Sequence, residues 1–146
     1  IQEHQAINSQ IFIINQNSKS GLGGAYREGY SWALRRDYTY IIQMDADFSH
    51  TFKDLKKLVK FVDVDKLIIG SRYIPGGSII GWKKRRMYLS IYANKFTKLL
   101  KNSKINDLTS GFRIFHINIL KNVNFLNTYS NGYSFQIEIA LLTERL

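Results

Sequence analysis

Short hydrophobic runs alternate along the chain with segments in which apolar residues recur at helical spacing. The runs at residues 11–14, 38–44 and 66–70 are rich in β-branched and aromatic side chains, so we expect buried strands there. Alternating strands and helices of this length predict an α/β fold with a mostly parallel, doubly wound sheet flanked by helices. In such a sheet, ligands bind at the carboxyl ends of the strands.

The predicted helices lie between and after these runs. Thr51 followed by Asp54 resembles a capping box, in which a hydroxyl and an acid three residues later satisfy the first backbone N–H groups of a helix. Residues 105–115 are expected to form a strand or an irregular segment. The predicted helices cover residues 24–36, the segment after Thr51, residues 84–101 and residues 133–145.

Composition limits the classes of protein to consider. The chain has 146 residues, of which 45% are hydrophobic, and it contains no cysteine, so we expect one domain with no disulfide and no thiolate metal site. Its formal charge of +10 favours anionic partners such as nucleotides, nucleic acid, lipid headgroups or phosphorylated substrates. No apolar run approaches the ~20 residues that cross a bilayer, so any membrane contact of this chain is expected to be peripheral.

Asp45 and Asp47 directly follow the predicted strand 38–44. Residues two apart in an extended chain point to the same side, so we expect the two carboxylates to converge at the sheet edge. Hard oxygen ligands in this arrangement suit Mg²⁺ or Mn²⁺ shared with substrate phosphates. The simpler alternative is a solvated Asp pair that caps the next helix.

A glycine-rich segment, residues 18–24, precedes the first predicted helix. Its backbone N–H groups and Lys19 are suited to contact a phosphate at the helix N-terminus. The segment lacks the spacing of a P-loop or a dinucleotide fingerprint. A plain glycine turn is an equally good explanation.

Two arginines and a serine form a second candidate phosphate site. Arg72 follows the predicted strand 66–70, and Ser90 lies four residues after Arg86, on the same face of a helix. The planar, always charged guanidinium binds phosphate in bidentate fashion, so we expect these side chains to converge on one phosphate. For each arginine the alternative is a surface position whose stem covers apolar area.

In order and spacing, these segments resemble the polyprenol (dolichyl) phosphate mannosyltransferases of glycosyltransferase family 2, from about residue 11 to residue 138. The matching segments are residues 19–25, 43–50, 69–78, 81–82, 107–113 and 132–138. The resemblance implies a GT-A type, Rossmann-like fold, GDP-mannose as donor and a polyprenyl or dolichyl phosphate as acceptor. It also implies Mg²⁺ or Mn²⁺ as cofactor and a place at the cytoplasmic face of a membrane.

The resemblance also assigns roles to individual residues. Donor binding falls to Lys19, Gly21, Gly23, Asp45, Ala46 and Asp47, and the metal ligands among them are Asp45 and Asp47. The acceptor phosphate is assigned to Arg72, Arg86 and Ser90, and the catalytic residues are Asp47, Arg72 and Arg86. Site-shaping roles fall to Asp107, Arg113 and Glu138.

The chain also departs from the family pattern. The family's first strands, which form part of the nucleotide pocket, and the end of its domain are absent, so residues 1–146 are expected to be a partial GT-A catalytic domain, truncated at the N-terminus. Gln16 stands where an arginine is usual, and Thr51-Phe52 replaces a common Asp-Pro. Neither change touches the proposed chemistry directly.

The expected reaction needs no strong general base, because a phosphate monoester with a second pKa of about 6 already carries a nucleophilic oxygen. We therefore assign no catalytic role to His4, His50 or His116. Attack by this oxygen from behind the anomeric carbon, as GDP departs, predicts inversion at the sugar. One rival hypothesis keeps the acceptor but changes the donor to UDP-glucose or another UDP-sugar. The other is a non-catalytic basic module that binds RNA or anionic lipid.

A basic module of that kind needs exposed aromatic residues interleaved with basic ones. Most aromatic residues here lie in apolar strand or helix patterns, so no nucleic-acid polymer is expected as a partner. Residues 83–104 place lysines and arginines among apolar residues, as an interfacial membrane helix does. An ordinary amphipathic helix packed on the sheet fits this pattern equally well.

Overall fold

The computed structural model describes residues 8–16, 18–79, 81 and 83–146. These residues form an α/β arrangement in which the strands are short and the helices connect them. In chain order the elements are α1 (Gly21–Leu34), β1 (Tyr40–Gln43), α2 (Phe52–Val59), β2 (Leu67–Ile69), α3 (Lys84–Lys101), β3 (Arg113–His116), α4 (Ile117–Asn122), a 3₁₀ turn (Phe125–Asn127) and α5 (Ser134–Glu144).

Local signals set several of the helix ends. The Thr51 hydroxyl accepts a hydrogen bond from the Asp54 N–H at 3.1 Å and donates one to the Asp54 carboxylate at 2.7 Å, which confirms the predicted cap of α2. α3 ends at Asn102, which adopts a left-handed conformation with φ of 51°. Asparagine tolerates this conformation, so it can terminate a helix where most residues cannot.

The strand order is β1-β3-β2, and β3 pairs antiparallel with both neighbours. A mostly parallel sheet is therefore not confirmed, because both described strand pairs are antiparallel. β1 and β2 do run in the same direction, as expected when α2 carries the chain across the sheet. β3 lies between them and runs in the opposite direction. The alternation of strands and helices along the chain does not predict the direction of β3.

The predicted strand at residues 11–14 is wrong, because no strand lies within residues 8–16. A hydrophobic run becomes a strand only where a neighbouring strand satisfies its backbone groups, and none of the described residues forms a strand beside this run. Instead Phe12 lies against Trp32 near the end of α1, with ring centroids 5.0 Å apart, and half of its side chain is exposed.

The core fills the space between the sheet and α1, α4 and α5. Tyr30 of α1 makes edge-to-face contacts with Phe115 of β3 at 5.4 Å and with Phe125 at 5.5 Å. The buried cluster comprises Tyr30, Phe115, Ile119, Leu120, Val123, Phe125, Phe135 and Ile139. By contrast α2 buries no residue and α3 buries only Asn94, so these two helices lie largely on the surface.

Apolar positions of the sequence pattern are not all buried in the structure. Aromatic residues recur at apolar positions of the pattern, yet many of those positions face away from this core. The exposed ones include Phe12, Tyr38, Phe48, Phe52, Phe61, Tyr88, Tyr92, Phe96, Tyr129 and Tyr133. Within the described part of the chain, no helix combines the length and the apolar character that crossing a bilayer requires.

Candidate functional site

Asp45 lies just beyond the carboxyl end of β1, as predicted, and three neighbours surround it. Its backbone N–H donates to His50 Nδ1 at 3.0 Å, and its Oδ1 accepts a hydrogen bond from the Tyr26 hydroxyl at 3.3 Å. Gly111 lies against the carboxylate, because a Cβ at that position would be 3.1 Å from Oδ1. The side chain is thus held between α1 and the segment that precedes β3.

Asp47 has different neighbours and faces solvent. Hydrogen bonds from the Ser49 hydroxyl and the Ser49 N–H, the latter 3.0 Å from Oδ1, lower the pKa of the Asp47 carboxyl. The carboxylate is therefore ionised at neutral pH. Phe48, between Ser49 and Asp47, has a φ of 62° and a side chain that is 94% exposed, so the backbone turns sharply after Asp47.

The two carboxylates provide hard oxygen ligands at the end of β1. The described residues contain no group of three or more His, Cys, Asp or Glu side chains able to hold a metal ion. A cation at Asp45 and Asp47 would therefore complete its shell with water and substrate oxygens, as Mg²⁺ commonly does. This donor set fits a cation that is shared with a diphosphate.

Asp107 and Arg72 form the second part of the site. The Asp107 carboxylate is entirely buried and accepts hydrogen bonds from Arg72 Nε and Nη2, both at 2.7 Å, and from the Arg72 N–H at 3.0 Å. The guanidinium therefore grips the carboxylate in the bidentate geometry that gives strong, well-oriented pairs. Asp107 thus fixes the direction of the Arg72 side chain, while its site-shaping role stays a prediction.

Thr109 connects Arg72 to Ser90. Its hydroxyl accepts from Arg72 Nη2 at 2.7 Å and shares a hydrogen bond of 2.9 Å with the Ser90 hydroxyl. The Tyr73 hydroxyl also donates to Ser90 Oγ, at 2.8 Å, and Asn94 Nδ2 donates to Thr109 Oγ1 at 3.2 Å. The structure thus brings Arg72 and Ser90 into one polar cluster, as the sequence predicted. Arg86 lies one helical turn before Ser90, in the exposed first turn of α3.

The glycines at the start of α1 pack closely against residues 130–131. The Gly23 N–H donates to the Asn131 carbonyl at 2.9 Å, and a Cβ at Gly21 would lie 2.5 Å from that same oxygen. A Cβ at Gly23 would lie 2.5 Å from the Ser130 carbonyl oxygen. Close backbone approach explains these glycines, and the Gly23 N–H is already engaged. A donor-binding role for Lys19, Gly21, Gly23 and Ala46 stays a prediction.

Arg113 and Glu138 each hold a backbone segment through hydrogen bonds. The Arg113 side chain is fully buried, and burial lowers its pKa to about 10, so it stays charged at neutral pH. It donates to the carbonyls of Ser110 at 2.8 Å and Leu108 at 2.9 Å, which stiffens the segment before β3. On α5, the Glu138 carboxylate accepts hydrogen bonds from the backbone N–H groups of residues 129 and 130 at 3.0 and 2.9 Å.

Residues 1–123 match the family model described as glycosyl transferase family 2. The chain belongs to glycosyltransferase family 2. It is 40% identical over 131 residues, which are 89% of this chain and 49% of the relative, to the polyprenol monophosphomannose synthase of Mycolicibacterium smegmatis. It is 33% identical over 136 residues, which are 93% of this chain and 56% of the relative, to the undecaprenyl-phosphate mannosyltransferase of Micrococcus luteus. The chain spans about half the length of these relatives.

Membership of glycosyltransferase family 2 implies the GT-A fold. Within this family 2 chain, sequence reasoning missed four residues that the structure adds to the site. Tyr73 and Thr109 lie inside segments that carried the resemblance, and Asn94 lies one turn after Ser90, so the local sequence contained a signal for them. Tyr26 had none, because its contact with Asp45 depends on how α1 packs beside β1.

Proposed function

We propose that the protein carrying this chain transfers mannose from GDP-mannose to a polyprenyl or dolichyl phosphate with inversion. The match to two relatives named for mannosyl transfer to polyprenyl phosphates, over 89% and 93% of the chain, carries the proposal. GDP-mannose as donor follows from the motif resemblance. The neighbouring carboxylate and arginine clusters are the chemistry that a diphosphate donor and a phosphate acceptor require.

On the donor side, Asp45 and Asp47 would hold Mg²⁺ or Mn²⁺. When bound, the cation would neutralise the donor diphosphate and stabilise the departing GDP. Asp45 is oriented by Tyr26 and Gly111, and Asp47 stays ionised because Ser49 hydrogen-bonds its carboxylate. The two residues thus supply carboxylate oxygens next to the end of β1, where a cation and the donor diphosphate would bind.

On the acceptor side, Arg72, Arg86 and Ser90 would bind the lipid phosphate. Asp107 and Thr109 restrain the Arg72 side chain, so little rotamer entropy remains to be lost when the phosphate binds. Orienting the phosphate oxygen behind the anomeric carbon is then the main task of these side chains, because the oxygen itself is already nucleophilic.

The exposed face of α3 supports a place at a membrane surface. Its apolar residues, each 58% to 82% exposed, are Tyr88, Leu89, Tyr92, Phe96, Leu99 and Leu100. At 3.6 residues per turn they fall within about 120° of the helix circumference, so they form one continuous stripe. Lys84 and Lys95 lie along one edge of this stripe, and a basic edge beside an apolar stripe is what an anionic bilayer surface attracts.

The decisive experiment is a donor screen on the intact protein. Labelled GDP-mannose and UDP-glucose are each incubated with a polyprenyl phosphate and Mn²⁺, and the lipid product is extracted and counted. We expect label in the lipid fraction from GDP-mannose and none above background from UDP-glucose. The converse result would favour the UDP-sugar alternative, and no transfer from either donor would favour a non-catalytic module.

The position of the aromatic residues is a weak argument against a non-catalytic binding module, because many of them are exposed. Membership of glycosyltransferase family 2 is the stronger argument against it.

A further inference from the structure

Two tyrosines one turn apart on α1 reach the end of β1 side by side. The Tyr30 hydroxyl donates to the Gln43 side chain, and the Tyr26 hydroxyl donates to Asp45 at 3.3 Å. Four residues of α-helix advance about 6 Å, and two residues of strand advance about 6.6 Å. The two spacings match, so the packing that seats Tyr30 in the core also brings Tyr26 to Asp45.

The Tyr26 ring packs against two other aromatic rings, which also lie close to each other. It stacks on Phe135 with centroids 6.0 Å apart and an interplanar angle of 6°, and on Tyr30 at 6.0 Å and 24°. A tyrosine hydroxyl ordinarily has a pKa of about 10, so it carries its proton at neutral pH and can donate a hydrogen bond. A fixed ring with a permanent O–H donor faces one oxygen of the carboxylate.

The Asp45 carboxylate also lies against Gly111, whose backbone is linked to α1 through Gln43. A Cβ at Gly111 would lie 3.1 and 3.2 Å from the two carboxylate oxygens, so the Gly111 backbone forms a wall there. Gln43 Nε2 donates to the Gly111 carbonyl at 2.8 Å, while Gln43 itself accepts from the Tyr30 hydroxyl. Tyr30 therefore holds Gly111 in place through Gln43, while Tyr26 hydrogen-bonds the Asp45 carboxylate that lies against Gly111.

From this geometry we infer that Tyr26 is a positioning residue, which orients the Asp45 carboxylate for the divalent cation. The inference rests on the metal site of the proposed function. Partners that hydrogen-bond a ligating carboxylate commonly contribute to metal affinity, and their loss weakens binding by about tenfold to a hundredfold. Because 3.3 Å is a long hydrogen bond, we expect an effect of about tenfold, at the lower end of that range.

The test replaces Tyr26 by phenylalanine in the intact protein. Mn²⁺ binding is measured without substrate, from the electron paramagnetic resonance signal of the free ion, and the melting temperature is recorded beside it. We expect about tenfold weaker Mn²⁺ binding in Tyr26→Phe with a nearly unchanged melting temperature, because the ring keeps its stacking partners. Tyr129→Phe removes the same hydroxyl from a side chain that is 93% exposed, and it should change neither quantity.

Asp47→Asn separates failure of the inference from failure of the metal assignment. If Asp47→Asn weakens Mn²⁺ binding while Tyr26→Phe binds as tightly as the wild type, the metal site stands and the role of Tyr26 is overturned. If Asp45→Asn and Asp47→Asn both bind Mn²⁺ as tightly as the wild type, these residues do not form the metal site. The proposed role of Tyr26 is then overturned as well.

Discussion

At the scale of single residues, the ion pair between Asp107 and Arg72 is the most constrained feature of the site. The carboxylate is entirely buried, whereas the Arg72 side chain keeps 18% of its surface exposed. A buried charge is tolerated only where a partner and hydrogen bonds replace water. This pair therefore gives Arg72 one orientation, and it engages the Nε and Nη2 fork that the sequence predicts to bind a phosphate.

Asp107→Asn should both destabilise the protein and weaken acceptor binding. The substitution keeps the size of the side chain but leaves the guanidinium without its counter-ion, and losing one partner of a buried pair costs about 3 kcal/mol. Urea unfolding measures the stability, and a transfer assay measures the apparent affinity for lipid phosphate. Asp63→Asn breaks an exposed ion pair with Lys66 and should change stability far less. Equal losses in the two variants would contradict the role of the buried pair.

Arg86→Lys tests the acceptor site directly. Lysine keeps the charge but lacks the planar fork, so the apparent affinity for lipid phosphate should fall while the affinity for GDP-mannose stays nearly constant. Losing one charge-assisted contact costs ~1.5–3 kcal/mol, which is roughly ten- to over a hundredfold in acceptor efficiency.

The measurement varies each substrate separately at saturation of the other. Arg85→Lys is the matched control, because its neighbouring position lies on a different side of α3. A defect of Arg86→Lys that appears only on the donor side would show that Arg86 belongs to the other half of the site.

At the scale of elements, α5 and α1 hold the connecting residues 128–131 between them. Glu138 of α5 binds two backbone N–H groups of this segment, and Arg27 of α1 donates to the Thr128 hydroxyl at 2.8 Å and the Ser130 carbonyl at 3.1 Å. The segment in turn covers the glycines at the start of α1. The position of residues 128–131 against the start of α1 therefore depends on the charges of Glu138 and Arg27 as well as on packing.

Glu138→Gln should lower stability near neutral pH and have less effect in acid. Burial raises the pKa of Glu138, but hydrogen bonds from the Tyr129 and Ser130 N–H groups outweigh it, so the net pKa is lowered. The stabilisation is thus fully present above the unfolded-state pKa of about 4.3 and disappears as pH falls through the lower folded-state value.

Thermal melts of wild type and Glu138→Gln between pH 7 and pH 3 measure this effect. We expect a difference of about 1 kcal/mol at pH 7 that closes below about pH 4. Glu28→Gln removes a carboxylate from an exposed position of α1 and serves as the control for the change in net charge. A gap that stays constant down to pH 3 would mean that the Glu138 charge contributes nothing.

At the scale of the whole molecule, a charge of +10 and the apolar stripe of α3 act together. The charge would attract the chain to an anionic surface over roughly a Debye length, about 8 Å at physiological salt. The stripe would then supply apolar contact at that surface. Neither feature alone distinguishes a membrane from other partners, but the combination predicts binding that depends on both salt and apolar side chains.

Liposome flotation tests this combination. The protein should float with vesicles that contain anionic phospholipid, float less at high salt, and lose most binding when Tyr92 and Leu99 are both changed to glutamate. Phe61→Glu alters a residue that is 70% exposed outside α3 and should bind like the wild type apart from its small change in charge. If the protein fails to float even at low salt, the stripe serves a different contact.

Several features that depend on neighbours in the chain could be predicted from the sequence. The cap at Thr51, the bounds of α3 and the position of Asp45 just after a strand are set by propensity, capping and hydrophobic spacing within a few residues. The family resemblance also rested on short local segments, and it is confirmed by a family model that matches residues 1–123.

Only the tertiary structure decided which distant residues meet. Three contacts of the site join residues 19 or more positions apart: Arg72 with Asp107, Tyr26 with Asp45, and Asn131 with the α1 glycines. The direction of β3 likewise depends on its pairing with strands from other parts of the chain. A sequence pattern reports that a position is to be buried or capped, but not by which partner. The partner is set by how the elements pack, and in this protein the packing of α1 and β3 against β1 arranges the candidate site.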